Sequence, residues 1–216
     1  MERQRLADLL RPFLAEASPR LFEQLQRYLD LLLRWNSRIN LTAVRDPEQI
    51  VTRHFGESLF AGQVLARHLG LGADTTLADV GSGAGFPGIP IKLLVPELDL
   101  TLIESHNKKA TFLREVVRAL GLEGVSVFCG RAEQWTGTAD IVTLRAVEQF
   151  ARAVPLAARL VRDDGILCLL IGGGQLSQAR SLLGEGWTWS NLIAVPQSSS
   201  RKIAIAQHAN PVAQAG

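Results

Sequence analysis

The residues with the clearest chemical potential gather around one glycine-rich stretch. Leu77-Ala78-Asp79-Val80 is a short apolar run, and it passes directly into Gly81-Ser82-Gly83-Ala84-Gly85-Phe86-Pro87-Gly88. Glycines at a strand end let the backbone take positive φ and let a ligand approach where a Cβ would block it. Pro90 suits the start of a following helix, and Pro96 its end. Gly83, Gly85 and Gly88 satisfy the GxGxxG spacing of dinucleotide sites. Glu104 closes the next apolar run and suits a ribose diol, which NAD and S-adenosylmethionine both carry. No Lys-Ser or Lys-Thr follows Gly88, which excludes a Walker A loop, and no GxSxG elbow supports a hydrolase. His54, His68, His106 and His208 lack ligand spacing, so no metal is expected.

The surrounding sequence supplies the elements that must position this loop. From Thr76 onward short apolar runs alternate with helical stretches, which predicts a parallel sheet covered on both faces. Strands are expected near 76–80, 99–103, 125–128, 139–144 and 166–170, with helices near 89–95, 106–120, 147–162 and 175–184. Trp187 to Val195 and Lys202 to Gln207 are two further β-like runs. The link between them, 196–201, is too short for a crossover helix, so they should form an antiparallel hairpin. Before Thr75 the pattern is helical. Ser18 suits an N-cap and Pro19 a first turn, with Leu21, Phe22, Leu25, Tyr28, Leu29 and Leu32 at helical spacing. Asp46-Pro47 opens a second helix that places Ile50, Val51, His54 and Phe55 on one face. Two features favour a methyl donor over a nicotinamide: the loop reads Asp79-x-Gly81-x-Gly83-x-Gly85, and a terminal hairpin distinguishes the usual methyltransferase sheet.

At 216 residues, with roughly 150 per domain, the chain has room for one domain and an extra segment. The expected division is a helical segment over 1–72, a cofactor-binding domain over 73–208 and a flexible tail over 209–216. Hydrophobic residues make up 47% and charged ones 20%, which excludes intrinsic disorder. A formal net charge of +2 is too small to imply a nucleic-acid or membrane partner, so a basic surface requires local clustering. Cys129 and Cys168 lack CxxC spacing and read as buried free thiols. The charged Met1–Arg5 stretch lacks the apolar run of a signal peptide, and no run approaches the ~18 residues of a membrane span, so a cytoplasmic location is expected.

Beyond these patterns, the sequence resembles the bacterial small-subunit ribosomal RNA methyltransferase G family (RsmG, or GidB). The resemblance extends over most of the chain. It rests on Trp35-Asn36 through Asn40-Leu41-Thr42, on Arg53-His54 with Ser58, on the run Asp79 to Pro90, on Lys108-Lys109 after Glu104, on Arg131-Ala132-Glu133 and on Arg145-Ala146. It implies an α/β fold with the Rossmann-like sheet of class I S-adenosylmethionine-dependent methyltransferases, a C-terminal antiparallel hairpin and an N-terminal helical extension. The implied reaction is transfer of a methyl group to a guanine N7 in 16S rRNA, forming 7-methylguanosine. The implied partner is that RNA, as small subunit or assembly intermediate, with no membrane and no obligate protein partner. Carried over by position, cofactor contacts fall on Gly81, Phe86, Ala132, Glu133 and Arg145, beside Gly83 and Gly85 from the loop itself and Glu104 from the end of the next run. Arg145 is expected to position the cofactor or the substrate base. Asn40, Arg53 and His54 are expected to join the RNA site. The family commonly has Asp where this chain has Glu57, and a Lys where it reads Gly172-Gly173-Gly174-Gln175, which shifts the expected RNA contact to Arg201 and Lys202. Guanine N7 carries an in-plane lone pair and no proton, so no residue is expected to serve as general acid or base.

Overall fold

A computed structural model of the chain describes residues 1–14 and 16–209. The expected tail falls mostly outside them; its first residue, Ala209, donates its N–H to the carbonyl of Gly186.

The N-terminal segment builds α1 (Arg3–Leu10), α2 (Pro19–Asn36), α3 (Pro47–Ile50) and α4 (Glu57–Leu69). Ser18 caps α2 as its type and the following proline suggest: its hydroxyl accepts the Leu21 N–H at 3.2 Å. The apolar stripe Leu21, Leu25, Tyr28, Leu29 and Leu32 is buried. Between α3 and α4 the helical run widens into a π turn over Val51–Gly56. Such a turn carries an extra residue per winding and is frequent at functional sites.

The sheet follows with β1 (Thr76–Val80), β2 (Asp99–Glu104), β3 (Val125–Cys129), β4 (Ala139–Arg145), β5 (Val161–Ile171), β6 (Trp187–Trp189), β7 (Ile193–Ala194) and β8 (Lys202–His208). Its order is β3-β2-β1-β4-β5-β8-β6, with β7 also paired to β8. The first five strands are mutually parallel, and β8 enters antiparallel beside β5. The connecting helices are α5 (Gly88–Leu94), α6 (Asn107–Leu120), α7 (Phe150–Ala158) and α8 (Gln175–Leu183). Side chains alternate across the strands. Leu77, Leu102, Ile166 and Ile205 join α1 to α6 in one core, whereas Ala78, Ile103, Leu167 and Ala206 join α7 and α8 in the other.

The expected terminal hairpin is split. Its first run breaks into β6 and β7, both paired to β8, with 190–192 between them. The helix expected over 147–162 spans only Phe150–Ala158, because Val161 already pairs with Ala139 and begins β5. The eight-residue α1 is an addition to the reading. Cys168 is buried, but Cys129 is exposed at the end of edge strand β3, contrary to the expectation of two buried thiols.

Tyr28 ties α2 to the glycine loop. It is fully buried, its hydroxyl donates to the Ala84 carbonyl, and its ring stacks on Phe86 with centroids 5.5 Å apart. Gly85, at φ 92°, lies where a Cβ would run into the Tyr28 hydroxyl and Ile89. Gly85→Ala should therefore lose about 3 kcal/mol of stability, from left-handed strain plus overpacking. Urea unfolding should show a lower midpoint at unchanged slope; a midpoint equal to the parent's would contradict this packing.

Candidate functional site

The loop after β1 lies where the chain order reverses, with β2 on one side and β4 on the other, and open α/β sheets bind ligands at this place. A cleft of about 950 Å³ opens there. Its floor is the glycine loop. Gly81 and Gly83 take φ of 69° and 57°, and a Cβ on Gly83 would meet nothing nearer than the Gly81 carbonyl at 3.8 Å, so it would project into open space. Glu104 is buried beside the loop: one carboxylate oxygen accepts the Gly83 N–H at 2.9 Å and the other the His106 N–H at 2.7 Å. Each oxygen keeps a lone pair for a ligand in the cleft. Asp79 acts beneath the loop. It accepts from the Thr143 hydroxyl at 2.8 Å and the Gly88 N–H at 3.2 Å, and burial pushes its carboxyl up to about 6 against these bonds.

The opposite wall is a buried polar cluster drawn from three segments. Glu57, at the start of α4, accepts from Arg145 at 3.0 Å and from Arg201 at 2.5 and 2.6 Å. Arg145, at the end of β4, also donates through the same nitrogen to the Arg53 carbonyl at 2.5 Å and approaches His54 Nδ1 at 3.1 Å. Its guanidinium lies 5.9 Å from the Phe86 ring centroid. Burial lowers the basicity of Arg145, and Glu57 opposes the shift. For His54, burial and then the nearby Arg145 and Arg201 charges push the ring down to about 3, so it is neutral at physiological pH.

The expected site residues separate into groups. Gly81, Gly83, Phe86, Glu104, Arg145, Arg53, His54, Arg201 and Lys202 all line the cleft. The π turn lets both Arg53 and His54 reach it. His54 does so as a neutral ring against Phe86, 5.0 Å between centroids. Gly85 faces Tyr28 and the core instead. Ala132 is buried in the single 3-10 turn that follows β3, and Glu133 is exposed and paired with Arg152 at 2.5 Å; neither is among the residues that line the cleft. Asn40 is exposed outside the cleft, its side-chain oxygen accepting from Arg45 at 2.8 Å. Gln175 turns back onto the Gly172 N–H at 2.8 Å, so Arg201 and Lys202 supply the cations of the hairpin rim. The role of Glu57 as hub went unread. An acidic residue inside the apolar stretch Phe55 to Leu59 is the signal that points to it. Among the described residues, no group of three or more His, Cys, Asp or Glu side chains is placed to hold a metal ion.

A sheet of this order, with a glycine loop at its switch point, an acid ending the second strand and an antiparallel strand beside the fifth, is the Rossmann-like fold of class I S-adenosylmethionine-dependent methyltransferases. Solved structures with the same fold include a precorrin-6y methyltransferase from Geobacter metallireducens (TM-score 0.56, 15% identity, 68% of this chain and 87% of that one) and TrmN from Thermus thermophilus (TM-score 0.58, 14% identity, 74% and 53%). Residues 21–190 match the family model described as rRNA small subunit methyltransferase G, GidB, and the chain belongs to that family. Proteins named ribosomal RNA small subunit methyltransferase G are similar to it in Stenotrophomonas maltophilia, at 45% identity over 68% of each chain, and in an Exiguobacterium species, at 42% identity over 76% of this chain and 70% of that one.

The depressed His54 fixes the sign of a pH effect. The unfolded ring takes a proton below about 6.5 and the folded ring only near 3, so the stability of the neutral, buried state is complete above pH 6.5 and is lost as pH falls. Relative to His54→Gln, which has no titrating group there, the parent should lose about 1.4 kcal/mol per pH unit between those values. Chemical denaturation of both proteins from pH 8 to pH 4 measures the difference; a gap that stays constant would contradict a neutral buried His54.

Proposed function

We propose that the cleft holds S-adenosylmethionine along Gly81–Gly83 with its ribose diol on Glu104, and brings a guanine of small-subunit 16S rRNA to it for methylation at N7. The observation that carries this reading is the Glu104 carboxylate fixed against the Gly83 N–H at the switch point, in a cleft whose far wall combines the N-terminal helical segment with Arg145 at the end of β4 and Arg201 beside β8. The residues fit such a donor: the Gly83 position leaves room only a missing Cβ provides, and Glu104 retains acceptor capacity toward the cleft. Arg145 bonds through one terminal nitrogen, leaving its other guanidinium N–H groups for a carboxylate or base. Ala132 and Glu133, in the turn that follows β3, belong in this proposal to the adenine end of the site. Asn40, Arg53, His54, Arg201 and Lys202 form its RNA side, with residues 1–72 acting as a wall packed on the methyltransferase domain at 73–208. Among the described residues no helix is long and apolar enough to cross a membrane. The proposed location is the cytoplasm, where ribosomal subunits assemble, and the proposed partner is the small subunit or its assembly intermediate.

S-adenosylmethionine, when bound, supplies an electrophilic sulfonium methyl group. Guanine N7 already presents its lone pair, so the protein has no proton to remove before attack. Its residues bind and orient instead, and alignment of acceptor, methyl and leaving sulfur can provide several kcal/mol of the barrier reduction. His54, neutral and already bonded, serves as a wall of the site and not as a base. A paired guanine buries its N7 edge in the deep RNA groove, so the accepted substrate is an open loop, an assembly intermediate or an extruded base.

Incubation of the protein with labelled S-adenosylmethionine and small subunits, followed by nucleoside analysis, should give label in 7-methylguanosine alone. Gly83→Val should give none. Label in another nucleoside would overturn the acceptor assignment. Arg53 supplies a second prediction, because its side chain lines the cleft while its carbonyl, unaffected by substitution, receives Arg145. Arg53→Ala should keep cofactor affinity, weaken RNA binding and flatten the log-log salt dependence by about one unit if one phosphate contact is lost. Binding measured at three ionic strengths decides it; an unchanged slope would place the phosphate contact elsewhere.

A further inference from the structure

Thr42 has a hydroxyl whose hydrogen-bonding direction is fixed by its neighbours. The chain of reasoning starts at Arg145, whose guanidinium only donates. Arg145 Nη2, whose two protons also serve the Arg53 carbonyl and Glu57, shares one of them with His54 Nδ1 at 3.1 Å, and Nδ1 faces it as an acceptor, without a proton. The neutral ring then carries its single proton on Nε2, which lies 2.7 Å from Thr42 Oγ1 and donates to it. This tautomer is assigned from the network of partners. Thr42 Oγ1 also accepts the Val44 N–H at 3.1 Å. Both of its lone pairs are then in use, and only its own proton is left.

That proton has no protein partner among the described residues, and Thr42 lines the cleft. The oxygen is held in place from both sides of its residue. Buried Asn36 accepts the Thr42 N–H at 3.0 Å and donates to the Thr42 carbonyl at 3.1 Å. Thr42 is consequently a preorganised donor that offers the cleft no acceptor.

We propose that Thr42 is a specificity-determining residue that donates its hydroxyl proton to the 6-oxo group of the acceptor guanine; this rests on the guanine-N7 reading above. A neutral donor matches a neutral carbonyl oxygen. N7 itself must keep its lone pair free for attack, so the adjacent oxygen is the atom to hold. Adenine presents an amino group at that position, and a donor facing a donor rejects it. Thr42 comes from the N-terminal wall rather than from the strand ends where the methyl donor's site lies, which assigns it to the acceptor side.

The test compares Thr42→Val and Thr42→Ser with the parent, using small subunits as substrate and S-adenosylmethionine as donor, with unfolding midpoints measured in parallel. Thr42→Val should lower kcat/KM for the subunit on the order of tenfold and leave the KM for S-adenosylmethionine within about twofold, and Thr42→Ser should restore most of the loss. Because Thr42→Val also removes an acceptor from His54 and Val44, a second arm replaces the acceptor guanine with 2-aminopurine in reconstituted subunits. The parent should then lose its advantage over Thr42→Val. An equal advantage on both bases, or a loss confined to S-adenosylmethionine affinity, would overturn the proposal. Nucleoside analysis of the parent's product keeps the outcomes separate: a product other than 7-methylguanosine would overturn the acceptor reading itself.

Discussion

The cleft depends on one carboxylate. Glu57 receives Arg145 from the end of β4 and Arg201 from the terminal hairpin, and so joins three segments of the chain at one point. Its side chain is 6% exposed, that of Arg145 9%, and that of Arg201 30%. Removing such groups from water costs several kcal/mol each, and the ion pairs repay this only when geometry and further hydrogen bonds are good. The net contribution to stability is correspondingly small. Loss of Glu57 alone is another matter, because two guanidinium groups would then face each other with no anion between them. The cluster fixes geometry: it sets where Arg145 points, and through Arg145 the proton position on His54 and the polarity of Thr42.

A second constraint acts from below. The Tyr28 hydroxyl holds the Ala84 carbonyl, and Phe86 packs between Tyr28, Phe55 and His54, with the Arg145 guanidinium over its face. The glycine loop is thus supported by α2 and the π turn as well as by its own strand. Trp35 and Gln24 fix α2 in turn, donating to Glu115 at 3.1 Å and to the Leu120 carbonyl at 3.2 Å on α6. The N-terminal helices are therefore a structural support of the glycine loop as well as a cover for the sheet.

Much of this was legible in the sequence where the determinants are local. The run Thr76 to Val80, flanked by a polar turn and by Gly81, is a strand at the expected residues, and Ser18-Pro19 starts α2. The Glu104 position followed from the alternation of short apolar runs. What escaped was nonlocal or aperiodic. The partners of Glu57 lie 88 and 144 residues further along the chain, a separation no spacing rule reports. The π turn over Val51–Gly56 shifts the helical phase by a residue, so an α-helical wheel misplaces Arg53 and His54. β5 begins early because Val161 pairs with Ala139, although residues 161 and 162 read as the end of a helix. His54 has the composition of an RNA contact, yet two arginines and burial make it neutral.

The most direct test of this account is a double-mutant cycle between Glu57→Gln and Arg201→Gln, read as kcat/KM for methylation of small subunits. If Glu57 places Arg201 at the cleft, the second substitution should cost far less in the Glu57→Gln background than in the parent, with an interaction energy of at least about 1 kcal/mol. Losses that add to within about 0.5 kcal/mol would show that the two residues act independently, and would contradict a cleft organised around the Glu57 carboxylate.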